Sequence, residues 1–476
     1  MNIINFIEKN VEKFPKKIAL IDEHESITFQ ELYQKIQSFS PPFSKDDNVV
    51  SLVSENSLPF VISYLGLINL GKTVHLIPPE ISQDKILNQI EISDSRAIIC
   101  SPDIKAKWSE INRINIPILG FSEEFMKTKK NVNEVKENEQ AYLIYTSGTT
   151  SEPKGVSISH SMIEFTTKNI VDVLGYTNED IDLVPLPLHH SFGLGCVHTS
   201  LYVGSTLVLL KNASNLQYIL ESLKKFNVST LSAIPATLTK FLTFERSILE
   251  ENFSNIRLII TNSTSIPKNT VQNFKTILKN GNLSTYYGLT EASRSTFMIF
   301  DNKNKREESV GKAAPNVQIK INHHGTDSNI GEILIRGKNV IQKYWKNFQA
   351  DKKIVDGWLH TGDLGYLDNE NYLFLVGRSD EIINIGGEKV SPLEIEESVK
   401  KVPGVKDAVA FGIKHEVFGQ TIKLNVIKTK NSNLNKSQIL SHCIKNLEKY
   451  KIPSKIDFVE NIPKTDYGKV KRFMLK

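Results

Sequence analysis

Short β-branched runs alternate with segments of helical periodicity through most of the chain, and this alternation restricts the fold more than any other feature. VVSLVS (Val49–Ser54), AIICS (Ala97–Ser101), QAYLIYT (Gln140–Thr146), STLVLL (Ser205–Leu210) and LIIT (Leu258–Thr261) have the length and branching of buried strands. Between them, QDKILNQIEIS and LQYILESLKKF space their apolar residues for one face of a helix. Strands separated by helices give open α/β layers with largely parallel sheets. From about Val310 to Gly377 the pattern changes to short strands and turns, VQIKINHHGTDSNIGEILIRG and then YLDNENYLFLVG, which predicts a small antiparallel β unit. After Arg378 the strand–helix–strand patterning of a compact α+β domain begins, and it ends in a lysine-rich tail. No internal repeat or low-complexity linker interrupts the chain.

The length of 476 residues predicts several structural units, and 40% hydrophobic against 23% charged residues rules out global disorder. A net charge of +5 is small for this length. It argues against a nucleic-acid or basic membrane-surface protein and suits a phosphate-bearing small molecule. Cys100, Cys196 and Cys443 are far apart and show no CxxC spacing, so neither a disulfide framework nor a zinc site is expected, and a reducing cytoplasm is. The opening MNIINFIEKNVEKFPKK mixes apolar residues with Glu, Lys and Asn, which predicts an amphipathic helix and not a signal peptide. The apolar stretch from Phe60 is broken at Asn69, Gly71 and Lys72, which predicts a buried helix leading into the strand Thr73–Ile77 and no membrane span.

The most specific local string is YTSGTTSEPKGV, Tyr145 to Val156, directly after AYLI. Phosphate oxygens need many close donors, and a Gly/Ser/Thr loop supplies backbone N–H groups and hydroxyls without bulky side chains in the way. Lys154 adds a point charge. The Walker A spacing is absent, and a polar surface turn is the commoner fate of such composition. The string resembles the phosphate-binding motif of the adenylate-forming, or AMP-binding, superfamily. Further signatures follow in that family's order: YYGLTEA (Tyr286–Ala292), GWLHTGDLG (Gly357–Gly365), GRSDEIINIGGEKVSPLEIE (Gly377–Glu396) and IPKTDYGKVKR (Ile462–Arg472). In motifs the chain is most similar to acyl-CoA synthetases and stand-alone adenylation enzymes. The resemblance implies an α/β fold. It has a large multi-subdomain N-terminal AMP-binding portion, residues 1–378, that includes a small β-barrel-like unit. A smaller mobile α+β C-terminal domain, residues 379–476, would follow.

A carboxylate is a poor electrophile, and conversion to an acyl-AMP gives it a good leaving group. Two anions must meet, so cations and oriented donors should carry the catalysis. By resemblance, Ser147, Gly148, Thr149, Thr150 and Lys154 would hold the β- and γ-phosphates of ATP, with Thr146 at the start of the loop. Thr290 would contact the α-phosphate and Glu291 would ligate Mg²⁺. Tyr287 would pack on the adenine, with Gly288 and Ser263 beside the nucleotide. Asp363 would bind the ribose hydroxyls, assisted by Arg378. Lys469 would stabilise charge in the adenylation step, whereas Lys464, Lys471 and Arg472 sit at positions that do not match. Asp380 would be the hinge about which the C-terminal domain turns, presenting Gly386 and Gly387 to a pantetheine arm in the second step.

LPLPLHHSFGLG (Leu186–Gly195) matches the flank of the acid pocket, with His190 at the family's histidine; a buried packing histidine is the plain alternative. The stretch has no acidic residue to pair an α-ammonium, which points to a fatty or aryl acid without an α-amino group. NSTS (Asn262–Ser265) replaces a usual Gly-Gly-Ala-Pro, and Ser151 replaces a usual glycine. Arg294, after YGLTEAS, has two readings: a partner for a second substrate carboxylate, or a surface salt bridge, the commoner role. The expected activity is ATP-dependent acyl-AMP formation, pyrophosphate release and transfer to the pantetheine thiol of CoA or of an acyl carrier protein. The alternatives are a stand-alone adenylation enzyme serving a dedicated carrier or amine, and a non-catalytic nucleotide-binding scaffold.

Overall fold

A computed structural model describes the chain apart from residues 1, 43, 45–46, 110–113, 122–124, 126–138, 147–152, 212–213, 264, 302–305, 324–328, 386–387, 465–469 and 476, and apart from the side chains of Gln83, Lys389 and Phe473. It divides into two compact units, Met1–Gln318 with Ile335–Leu359, and Ile319–Leu334 with His360–Lys476.

Two sheets organise the first unit. One runs in the order Tyr344–Trp345, Lys154–Ser159, Gln140–Thr146, Thr73–Leu76, Val49–Val53, Ala97–Cys100, Ile118–Gly120. The strands from Gln140–Thr146 onward are parallel, as the alternation of strand and helix requires. The other sheet carries a parallel block of Asn282–Leu289, Leu258–Thr261, Thr230–Ser232, Ile181–Val184, Thr206–Leu209 and Ile18–Ile21. Their side chains are almost wholly buried, which is why these runs read as continuously apolar instead of alternating.

The helix Leu58–Asn69 is buried nearly all round, with Ser57 accepting from the Phe60 N–H at its start, and it leads into the strand Thr73–Leu76 as expected. Among the described residues no helix is long and apolar enough to cross a membrane. The opening segment is the helix Ile3–Lys13, fixed at its start by a reciprocal cap between Asn2 and Asn5.

In the second unit, Trp358–Leu367 and Leu373–Arg378 form an antiparallel hairpin with Asp363 opposite Arg378. The ribbon extends through Gly331–Arg336 to Gln318–Asn322 and stays open: among the described residues no pairing closes it into a barrel. Four strands are too few to close around a core of side chains. The rest is an α+β domain. Val405–His415 and Gly419–Lys428 pair antiparallel, Lys455–Phe458 joins in parallel, and the helices Pro392–Val399 and Lys436–Asn446 pack with them around Ile395, Val399, Leu424, Val426 and Ile439. Each of these apolar side chains contributes roughly 1.5–3 kcal/mol by burial.

Candidate active site

The strands Gln140–Thr146 and Lys154–Ser159 pair up to Thr146 opposite Lys154, and Thr146 Oγ1 donates to the Lys154 carbonyl at 3.4 Å. The base of the Gly/Ser/Thr string is therefore a hairpin end. Ser147, Gly148, Thr149, Thr150 and Ser151 lie outside the described residues.

Thr290 and Glu291 occupy the two-residue turn between Asn282–Leu289 and Ala292–Phe300. The ladder shifts register between Tyr287 and Leu289, and Gly288 sits at that irregularity. A Cβ on Gly288 would stand 2.6 Å from both the Ala292 carbonyl and the Arg294 nitrogen, so only glycine lets the turn fold back this tightly. The turn is anchored on its other side. Tyr344 Oη donates to Glu291 Oε1 at 3.0 Å, the Ile341 N–H donates to the Glu291 carbonyl at 2.9 Å, and Tyr344 and Trp345 pair with Val156 and Gly155. One residue thus links the Glu291 carboxylate to the strand that leaves the phosphate string. Nothing in the sequence marked Tyr344, because its role depends on a contact 53 residues away in sequence.

Asn262 and Ser263 follow the strand Leu258–Thr261, next to the strand that ends in Tyr287. Ser263 is exposed and holds φ +94°, a conformation normal for glycine and costly for serine. Tyr287 is buried, and its N–H donates to Thr296 Oγ1 at 3.2 Å. His190 caps the helix Ser191–Val203 at the carboxyl end of the Ile181–Val184 strand, its ring 4.8 Å from that of His189. Burial pushes His190 down to about 4 and His189 to about 3, so both imidazoles are neutral at physiological pH. The first unit therefore brings Tyr287, Gly288, Thr290, Glu291, Ser263 and His190 to the carboxyl ends of neighbouring parallel strands, where open α/β sheets bind ligands.

Arg294 departs from expectation. It is 6% exposed, and among the described residues it makes no salt bridge, so the surface ion pair is excluded. Its φ of +55° turns the side chain off the strand's regular pleat and inward. Nη2 donates to the Ser191 carbonyl at 3.1 Å and Nη1 to Ser293 Oγ at 2.6 Å. The guanidinium lies 5.2 Å from the centre of the Tyr286 ring.

In the second unit, Arg378 Nη1 donates to Asp363 Oδ1 at 3.0 Å and Nε to Asp380 Oδ1 at 3.2 Å. Asp363, Arg378 and Asp380 thus form one cluster, with Asp380 at its exposed edge. Gly386, Gly387 and Lys469 lie outside the described residues, but the stem of the Lys469 loop does not. Lys464 bridges to Val470 and pairs with Asp407. Arg472 is held by Glu396 at 2.6 Å and Glu381 at 3.1 Å. Those pairings occupy Lys464 and Arg472 structurally.

Residues 7–345 match the AMP-binding enzyme family, and residues 394–469 match the AMP-binding enzyme C-terminal domain. The chain belongs to the AMP-binding enzyme family. An oxalate–CoA ligase of Arabidopsis thaliana is 29% identical over 495 residues, taking in 98% of this chain and 96% of the relative. A 2-succinylbenzoate–CoA ligase of Enterococcus faecalis (strain ATCC 700802 / V583) is 28% identical over 483 residues, with 99% and 98% covered. The solved o-succinylbenzoate CoA synthetase of Bacillus subtilis, in complex with its acyl-adenylate intermediate, superposes with a TM-score of 0.88 at 27% identity, covering 99% of this chain and 98% of that one. The same enzyme is also solved with ATP and a magnesium ion, at a TM-score of 0.87.

For an AMP-binding enzyme, Glu291 fits a magnesium ligand. It is a half-buried carboxylate with one oxygen oriented by Tyr344 and no ion pair among the described residues. Mg²⁺ keeps several waters and substrate phosphates in its shell, so one protein carboxylate suffices.

Proposed function

We propose that this protein is an AMP-forming acid–CoA ligase. A carboxylate oxygen of the acid attacks the α-phosphorus of ATP, forming the acyl-AMP and releasing pyrophosphate. The thiol of CoA then attacks the acyl carbon, the acyl–oxygen bond to AMP breaks, and the thiol proton passes to solvent. Thr290 would donate to the α-phosphate, and Glu291 would hold Mg²⁺, whose charge, when bound, offsets that of the phosphates. Thr146, Ser147, Gly148, Thr149, Thr150 and Lys154 would bind the β- and γ-phosphates. Tyr287, Gly288 and Ser263 would border the nucleotide, and Asp363, oriented by Arg378, would accept from the ribose. Lys469 would offset negative charge as the acid oxygen reaches phosphorus. Neutral His190 would be a further catalytic residue, at the family's histidine beside the acid pocket.

The observation that carries this reading is the Glu291–Tyr344–Val156 connection, which couples the YGLTEA turn to the strand leaving the phosphate string. By the family resemblance, residues 379–476 would turn about Asp380, delivering Lys469 for the first step and the Gly386–Gly387 loop for the second. An acid without an α-amino group is favoured because no acidic residue stands in Leu186–Gly195 to pair an ammonium. CoA is the acceptor, with the pantetheine of an acyl carrier protein as the alternative. Three buried free cysteines suit a reducing cytoplasm.

ATP–pyrophosphate exchange over a panel of acids, followed by thioester formation with CoA or carrier protein, tests the reading. Acid-dependent exchange and CoA thioester are expected. Binding of ATP without exchange for any acid would leave a scaffold, and exchange with amino acids alone would overturn the pocket argument.

A further inference from the structure

A buried guanidinium needs a counter-charge, and the surroundings of Arg294 supply none. Its partners are a backbone carbonyl, a serine hydroxyl and an aromatic face, all neutral. The other titratable groups around it are Tyr142, Tyr286, Cys196 and His198. Burial pushes Tyr142 and Cys196 up to about 12 and His198 down to about 3, and it raises Tyr286, so none of the four carries negative charge at neutral pH. Asp182, which adjoins Cys196 on the buried strand Ile181–Val184, is pushed up to about 8 by burial and is mostly protonated there. Among the described residues the cation therefore stands without an anion, a costly arrangement unless one arrives.

The chain is also shaped to hold the guanidinium where it is. Gly195 on the helix Ser191–Val203 lies so close that a Cβ there would sit 1.8 Å from Arg294 Nη2, so any larger residue would push the guanidinium out of its present place. The strained φ of +55° at Arg294 aims the side chain toward that gap. There the arginine lines two adjoining crevices. One is walled mainly by Ile170, Leu174, Phe192 and Phe297 with Ser232 and Thr199, the other by Ile158 and Met162 with Thr166, Thr167, Ser293 and His198. Both crevices are lined by Gly195 of the helix Ser191–Val203 and by Arg294 of the hairpin that carries Thr290 and Glu291. A buried cation with no anion beside it among the described residues suits a molecule that carries an anionic group apart from the reacting one.

We propose that Arg294 is the specificity-determining residue of the acid pocket and that the substrate is a dicarboxylic acid, its second carboxylate pairing with the Arg294 guanidinium. This rests on the ligase reading and refines it. The second carboxylate would replace the counter-ion that the fold leaves out. A monocarboxylic acid of the same shape would leave the buried guanidinium unpaired, so discrimination comes from the unpaired cation as much as from the new contact.

The test is ATP–pyrophosphate exchange with malonate, succinate, glutarate and phthalate, each against its monomethyl ester. At least one diacid should exceed its ester by about 100-fold in kcat/KM, the scale of a buried charge pair. In Arg294→Gln that ratio should collapse toward one, mainly through KM for the acid, with KM for ATP held. Arg294→Lys should retain part of the preference, and a thermal melt separates this from a general loss of folding. Equal use of diacids and esters by the unaltered enzyme, or a rise in KM for ATP in place of the acid in Arg294→Gln, would overturn the assignment while leaving the ligase intact. Absence of exchange with every acid would remove the ligase reading itself.

Discussion

Tyr344 donates its phenolic proton to Glu291 Oε1 at 3.0 Å from a strand residue paired with Val156. The bond orients one carboxylate oxygen. Replacing Tyr344 by Phe keeps the ring and frees that oxygen to rotate. We expect the half-saturating magnesium concentration for pyrophosphate exchange to rise about tenfold or more, for a loss of about 1.5–3 kcal/mol typical of a bond to a charged group. An unchanged magnesium titration would show that the tyrosine only packs.

Lys469 and Arg472 lie three residues apart in sequence and should fail differently. Lys469→Ala should lower adenylation by at least about 100-fold, as loss of a transition-state donor does, while thioester formation from supplied acyl-AMP persists. Equal loss of both steps would contradict its role. Arg472→Met leaves Glu396, 3% exposed, without its cation, and should destabilise the C-terminal unit by about 3 kcal/mol. Adding Glu396→Gln should restore much of that in hydrogen-exchange protection of the strand Val405–His415.

Ser263 holds a glycine-like φ of +94° on an exposed loop. Ser263→Gly relieves the strain and should raise stability by about 1 kcal/mol, net of the added freedom of the unfolded chain. A lower melting temperature would mean that the hydroxyl makes up for the backbone.

Burial lowers His75, His189 and His198 to about 3 and His160 and His190 to about 4. Between about pH 6.5 and 4 the unfolded chain binds protons that the folded chain refuses, so stability is full above pH 6.5 and is lost on acidification. Asp182 works the other way. Raised to about 8 by burial, it keeps its proton when folded and loses it when unfolded, so its contribution falls as pH rises from about 4 to 8. Five groups outweigh one, and the denaturant midpoint should drop steadily from pH 7 to pH 5. Asp182→Asn should gain more stability at pH 8 than at pH 5. A flat profile would show that the imidazoles are solvated.

Motif strings mark Thr290, Glu291, Asp363, Arg378 and Lys469 as candidates because each proposed role needs a residue type at a fixed offset from a turn, and local spacing is written directly in sequence. The buried helix Leu58–Asn69 and the parallel strands were legible for the same reason, since continuous apolar runs have few other uses. The surroundings of Arg294 were not legible. Whether an arginine pairs at the surface or turns inward depends on one backbone torsion and on a glycine 99 residues earlier in the chain leaving room for it. Tyr344 and Glu291, or Arg472 and Glu396, likewise meet only after distant segments pack. Sequence by itself determined the layered α/β architecture and the family's motif strings, because periodicity and turn chemistry act within a few residues. Tertiary structure alone decided which charges are buried and unanswered, because burial is a property of the neighbours that folding brings, and it is there that the choice of acid resides.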